Sequence, residues 1–103
     1  MSCTQDLEDL NRLWPRGNEE YLEYEVSVDV TLDSQTVEIF LGRGTTALPA
    51  VWIGTAGTTR TCRTTGLVTD ANLPVGRTAV DVWIRITDVT EHPLIPAGVL
   101  TII

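Results

Sequence analysis

The chain has no lysine, and its other scarcities narrow the field quickly. Seven arginines face fourteen aspartates and glutamates in 103 residues, a formal charge of −7. Ten of those fourteen acids lie in the first 38 residues, where only Arg12 and Arg16 oppose them. Duplex nucleic acid is held by clustered Lys and Arg that neutralise phosphate, so this balance argues against such a partner. Histidine occurs once, as His92. A nucleophilic site needs a base held by an orienting group, for which His92 is the lone candidate, and a zinc site gathers several ligands, which one imidazole cannot supply. Cysteine occurs twice. Cys3 and Cys62 are too few and too far apart for a disulfide framework, so both are expected as free thiols, with Cys62 filling a small core position. No window approaches the ~18 apolar residues of a membrane span. The start, Met1-Ser2-Cys3-Thr4-Gln5-Asp6, has neither the cationic residues nor the apolar run of a signal peptide. The expectation is a protein made in a cytoplasm and kept there, or carried out inside a particle, with no membrane.

What is present is mostly alternation. TQDLEDLNRLW (4–14) is the exception, with Leu7, Leu10 and Trp14 at i, i+3 and i+7 and Leu13 beside them. That spacing predicts a short helix capped by Thr4, acidic in its first turns and stopped by Pro15. Three turns are marginal alone, so the stripe must dock, on its own domain or on a neighbouring subunit. Residues 1–18 are therefore read as a helical arm and 19–103 as the domain proper.

In YLEYEVSVDVT (21–31), Leu22, Tyr24, Val26, Val28 and Val30 alternate with polar residues, the pattern of an antiparallel strand buried on one face. After a turn at Asp33-Ser34, QTVEIFL (35–41) continues with Val37, Ile39 and Leu41 inward. AVWIGT (50–55) follows Pro49, and Trp52 is expected in the core. TTRTCRTT (58–65) is a threonine-rich strand, polar enough to expect at an edge. AVDVWIRIT (79–87) turns Val80, Val82, Ile84 and Ile86 inward, and VLTII closes the chain with Leu100 inward. Six or seven short strands with turns every 8–12 residues predict an all-β, immunoglobulin-like antiparallel sandwich with a short N-terminal helix. A small closed barrel is the competing architecture.

Chemistry is sparse. Asp88, Glu91 and His92 fall within TDVTEHP, but a metal would need further ligands, and Asp88 at a strand end suits side-chain bonds to backbone. Pro93 keeps His92 out of the helical region. Gly42-Arg43-Gly44 lacks the length and the lysine of a phosphate loop. No catalytic residue, metal or cofactor is expected. Surface remains: Trp83 alternates with Asp81 and Arg85 on the side opposite Val82 and Ile84. An indole beside a guanidinium is frequent among interface hot spots. The candidate interface residues are Leu7, Leu10, Trp14, Trp83 and Arg85.

The C-terminal half, TRTCRTTG and then LPVGRTAVDVWIRITDVTEHPLIPAGVLTI, resembles a family of small structural proteins of tailed phages that infect actinobacteria. The matching positions are Leu73, Gly76, Val82, Trp83, Ile84, Ile86, Thr87, Asp88, Pro93, Gly98, Leu100 and Ile102. The arginine-only basic set fits a GC-rich genome of that kind. Such proteins are encoded among the capsid and head–tail connector genes. The resemblance implies an immunoglobulin-like virion subunit of the head or neck, assembled in the host cytoplasm. It implies contacts with capsid, portal, connector or tail subunits and with copies of itself in a ring or lattice. The alternative is an immunoglobulin-like carbohydrate- or surface-binding adhesion module, which would want export and several exposed aromatics; this chain has six aromatics in all.

Overall fold

The structure, a computed structural model, describes residues 3–5, 11–42, 47–74, 76, 78–88 and 92–103. It is all-β. Among the described residues the strands are β1 (Cys3–Gln5), β2 (Asn11–Trp14), β3 (Glu23–Leu32), β4 (Thr36–Leu41), β5 (Ala47–Ile53), β6 (Gly57–Thr64), β7 (Ala79–Thr87) and β8 (Leu94–Ile102), with a 3₁₀ turn at Asp70–Asn72. They form a single sheet in the order β1-β3-β6-β5-β4-β7-β8-β2. All pairs are antiparallel except β2 with β8, which is parallel.

The sheet is divided by β5. Its first part, Ala47–Ala50, pairs with β4, and its second part, Ala50–Ile53, pairs with β6. The chain thus crosses at Ala50 from one half-sheet, β5-β4-β7-β8-β2, to the other, β1-β3-β6-β5. Curling brings β1, on one margin, beside β8 near the other. Inward residues of both halves form one core that includes Val26, Leu32, Ile39, Cys62, Val80, Val82, Ile84, Ile86 and Leu100.

The helix expected over residues 4–14 is not found among the described residues of that span. Cys3–Gln5 pairs with β3 and Asn11–Trp14 with β8, so both ends of that segment are extended. Leu7 and Leu10 lie outside the described residues. The helical spacing was misleading because a four-residue strand shows too few alternations to reveal a period of two, and its partner lies at the far end of the sequence. Trp14 explains the strand energetically. It is fully buried among the core residues, and its Nε1 donates to Asp70 Oδ1 at 3.3 Å. The other carboxylate oxygen of Asp70 accepts from the Gly17 amide at 2.8 Å. Gly17, at φ 82°, is the third residue of a turn closed by the Asn18 amide on the Pro15 carbonyl, a position that asks for positive φ. Asp70 therefore ties the end of β2 to the connection between β6 and β7.

Three further expectations change. Trp52 is half-buried and packs on the margin of the core, its Nε1 donating to the Gln35 carbonyl at 2.8 Å. β6 is no edge, since it lies between β3 and β5; Thr59 and Thr61 line the outer surface while Cys62 and Thr64 face in. Val30 is exposed, within the stretch where the β3–β6 register shifts between Ser27 and Leu32, while Leu32 beyond it is buried. Arg60 secures the nearby turns, with guanidinium bonds to the carbonyls of Leu32, Asp33 and Gly54 at 2.9–3.1 Å.

Candidate protein interaction face

β7 is the middle strand of the half-sheet β5-β4-β7-β8-β2. Because Val80, Val82, Ile84 and Ile86 are buried in the core, the alternation of the strand turns Asp81, Trp83 and Arg85 outward. The flanking registers extend that row into a patch. Trp83 lies opposite Phe40 on β4 and Pro96 on β8, and Arg85 lies opposite Glu38 on β4 and Leu94 on β8. Phe40 alternates with the inward Ile39 and Leu41 and is absent from the core cluster, yet it is only 8% exposed. Part of its cover is Arg85, whose Cζ sits 4.8 Å from the Phe40 ring centroid. A guanidinium laid on an aromatic face keeps its plane and its donors ordered, so less side-chain entropy is lost when it meets a partner. Along β2, the last strand of this half, Leu13 is 67% exposed, and the terminal Ile103 beyond β8 is 60% exposed.

The unpaired margins of this half are guarded. The stretch of β8 that β2 does not cover contains Pro96, the part of β5 that β6 does not cover contains Pro49, and Pro15 follows β2 directly. Proline has no amide to offer a new strand, so sheet extension by another chain is discouraged at each place.

The outer surface of the other half differs in chemistry. Glu23, Glu25, Ser27, Thr59, Thr61 and Arg63 line it. Arg63 pairs with Glu23 at 3.5 Å and stacks over Tyr21 at 5.1 Å, and Ser27 and Thr59 share a hydroxyl hydrogen bond of 2.9 Å. This is a hydrated, largely self-satisfied surface.

Sequence reasoning placed Trp83 and Arg85 together on an outward face, and they are adjacent there. Trp14 is committed to the core of its own domain, so its indole is not at the surface. Phe40, Pro96 and Leu13 were missed, although the parity of Val37, Ile39 and Leu41 already turned Phe40 outward. Among the described residues no three His, Cys, Asp or Glu side chains come together as metal ligands; Glu91 lies outside them. His92 is exposed. Burial pushes the Cys62 thiol up to about 12 and the Tyr24 phenol up to about 12, the latter against the opposing pull of Arg12 beside it. A thiol so shielded is no nucleophile. The hollow bounded by Arg16, Asp70, Leu73, Pro74 and Ile102 is about 220 Å³, but both Asp70 oxygens are already engaged. No helix among the described residues is long and apolar enough to cross a membrane. No protein-family model matches this chain, and no curated protein matches it either.

Proposed function

We propose that this chain is an accessory structural subunit of a tailed-phage virion, at the head or neck, built as an immunoglobulin-like sandwich and working by protein–protein contact. The observation that carries the reading is the outward cluster of Trp83, Phe40 and Arg85 at the middle of one half-sheet. Aromatic and arginine anchors near the centre of a flat patch are what concentrates binding energy between proteins.

The order of strand pairing supports the immunoglobulin-like part. Take β1 and β2 as two pieces of a first strand A, and letter the rest B to G along the chain. The ladder β1-β3-β6-β5 is then A-B-E-D, and β4-β7-β8 is C-F-G, the strand order of the two sheets of a seven-strand constant-type domain, joined here by the β5–β4 pairing. The virion part rests on the resemblance carried by Leu73, Gly76, Trp83, Asp88, Gly98 and Leu100, together with a face suited to a permanent neighbour. The partners would be capsid, portal, connector or tail subunits, and further copies of this chain.

The test is mass spectrometry of gradient-purified virions. Peptides of this chain at a constant ratio to the major capsid protein through successive purifications are the expected result. Their loss at the first gradient step would set the virion role aside.

A further inference from the structure

Along β7 the outward residues run Asp81, Trp83, Arg85: a negative charge, an indole, a positive charge. That order is its own complement when reversed. We infer that the face is self-complementary and that its occupant is a second copy of this chain, stacked face to face about a two-fold axis. The axis lies between the sheets and crosses β7 at right angles at Trp83. This rests on the contact-face reading above and specifies its partner.

The geometry follows from the sheet. A two-fold axis placed there sets β7 antiparallel over β7 of the other copy, so Asp81 of each chain meets Arg85 of the other. Each of these two pairs lies ~7 Å from the Trp83 contact, two residues of strand rise. Such an isologous arrangement satisfies both ends at once. A parallel arrangement would set Asp81 on Asp81 and Arg85 on Arg85, so charge selects the antiparallel one. Phe40, level with Trp83 on β4, lies beneath the Arg85 guanidinium and holds it in place for the pairing.

Charge elsewhere disfavours other self-contacts. At −7 per chain, copies repel, and the outer surface of β3 presents Glu23, Glu25 and Asp29. On β4 and β7 the outward charges are Glu38, Asp81 and Arg85, and Glu38 is in register with Arg85. Size agrees as well. Five strands ~4.8 Å apart and about seven residues long give a footprint on the order of 500 Å², so two copies together cover on the order of 1,000 Å², the lower bound for a specific interface. A reversible dimer is expected, close enough to balance for single charges to decide it.

The experiment is sedimentation equilibrium of the full chain from ~1 µM to ~1 mM, with melting recorded for every variant. The parent is expected to pass from monomer to dimer across that range. Asp81→Arg makes both ends of the row positive, Arg85→Asp makes both negative, and each should weaken association at least ~10-fold, as should Trp83→Ala. The double variant Asp81→Arg/Arg85→Asp recreates the complementary order in reverse and should dimerise again. Asp81 serves the fold through its carbonyl, which accepts the Gly42 amide at 2.7 Å. The Asp81→Arg arm therefore decides the matter even if loss of the guanidinium from Phe40 lowers the melting point of Arg85→Asp. A parent that stays monomeric throughout overturns the inference, as does an Asp81→Arg variant that dimerises as well as the parent, or a folded double variant that does not recover. A monomeric parent whose Trp83→Ala variant still fails to join virions would overturn self-pairing alone and leave the contact-face reading standing.

Discussion

Replacing Trp14 by alanine tests whether the N-terminal strand belongs to this domain or to a neighbour. The indole is fully buried in the core and its Nε1 donates to Asp70. Deleting a buried tryptophan side chain costs about 3–5 kcal/mol through lost transfer energy and the cavity left behind. The hydrogen bond adds roughly 1 kcal/mol, and Asp70 keeps its bond to Gly17 and reaches solvent, so no larger penalty follows. The sum, about 4–6 kcal/mol, compares with a total stability of roughly 5–15 kcal/mol for a domain of ordinary stability. The assay is urea denaturation followed by circular dichroism. With m near ~1.5 kcal/mol/M, the midpoint should fall by ~3 M, and a weakly stable parent would yield a variant unfolded in buffer. Trp83→Ala is the comparison: its indole is half-buried on the outer face and lies outside the core cluster, so its loss should cost less than that of Trp14. A Trp14→Ala variant that loses less than ~1 kcal/mol would refute the placement of β2 and return the arm to a role outside its own domain.

Other outcomes follow from the same contacts. Asp70→Ala should cost about 1–3 kcal/mol by urea titration, because it strands the Trp14 and Gly17 donors together. In a Cys3→Ser background, Cys62 should resist a disulfide-exchange reagent at neutral pH and react at the rate of unfolding, since its thiol is buried and held protonated. Stability should decline as pH rises above 9. Cys62 is raised from 9.0 and Tyr24 from 10.0, each to about 12, so the unfolded chain loses these protons first. Unfolding therefore gains up to about 1.4 kcal/mol per pH unit per group until the folded groups ionise; Tyr24→Phe with Cys62→Ala should flatten that decline. Trp52→Ala should cost less than Trp14→Ala in the same titration, because Trp52 is half-buried.

Much of the fold was legible because one-sided strands write their burial into the sequence. The alternations of Val37, Ile39 and Leu41 and of Val80, Val82, Ile84 and Ile86 gave strand type, inner face and the outward position of Trp83 without tertiary information. What failed was decided by partners far away in sequence. Trp14 is buried by a parallel pairing with β8, more than eighty residues on, and nothing near Leu13 signals it. β6 reads as an edge because threonine is polar, but its β-branched side chains suit a central strand with one hydrated face equally well. Val30 is exposed where the register between two strands shifts, a feature invisible to periodicity in either one. For the candidate face, Trp83 and Arg85 were found from one strand; Phe40 and Pro96 join them only through the β4–β7 and β7–β8 registers.

The most direct test of the central claim, that this domain acts through its outward face, is incorporation of the Trp83→Ala variant into virions lacking the subunit. Quantitative mass spectrometry of the purified particles measures it, with melting of the free protein recorded alongside. The account predicts a protein that stays folded, with a melting point lowered less than that of Trp14→Ala, and that is missing from the particles. Parent-level incorporation of a folded Trp83→Ala protein would contradict it.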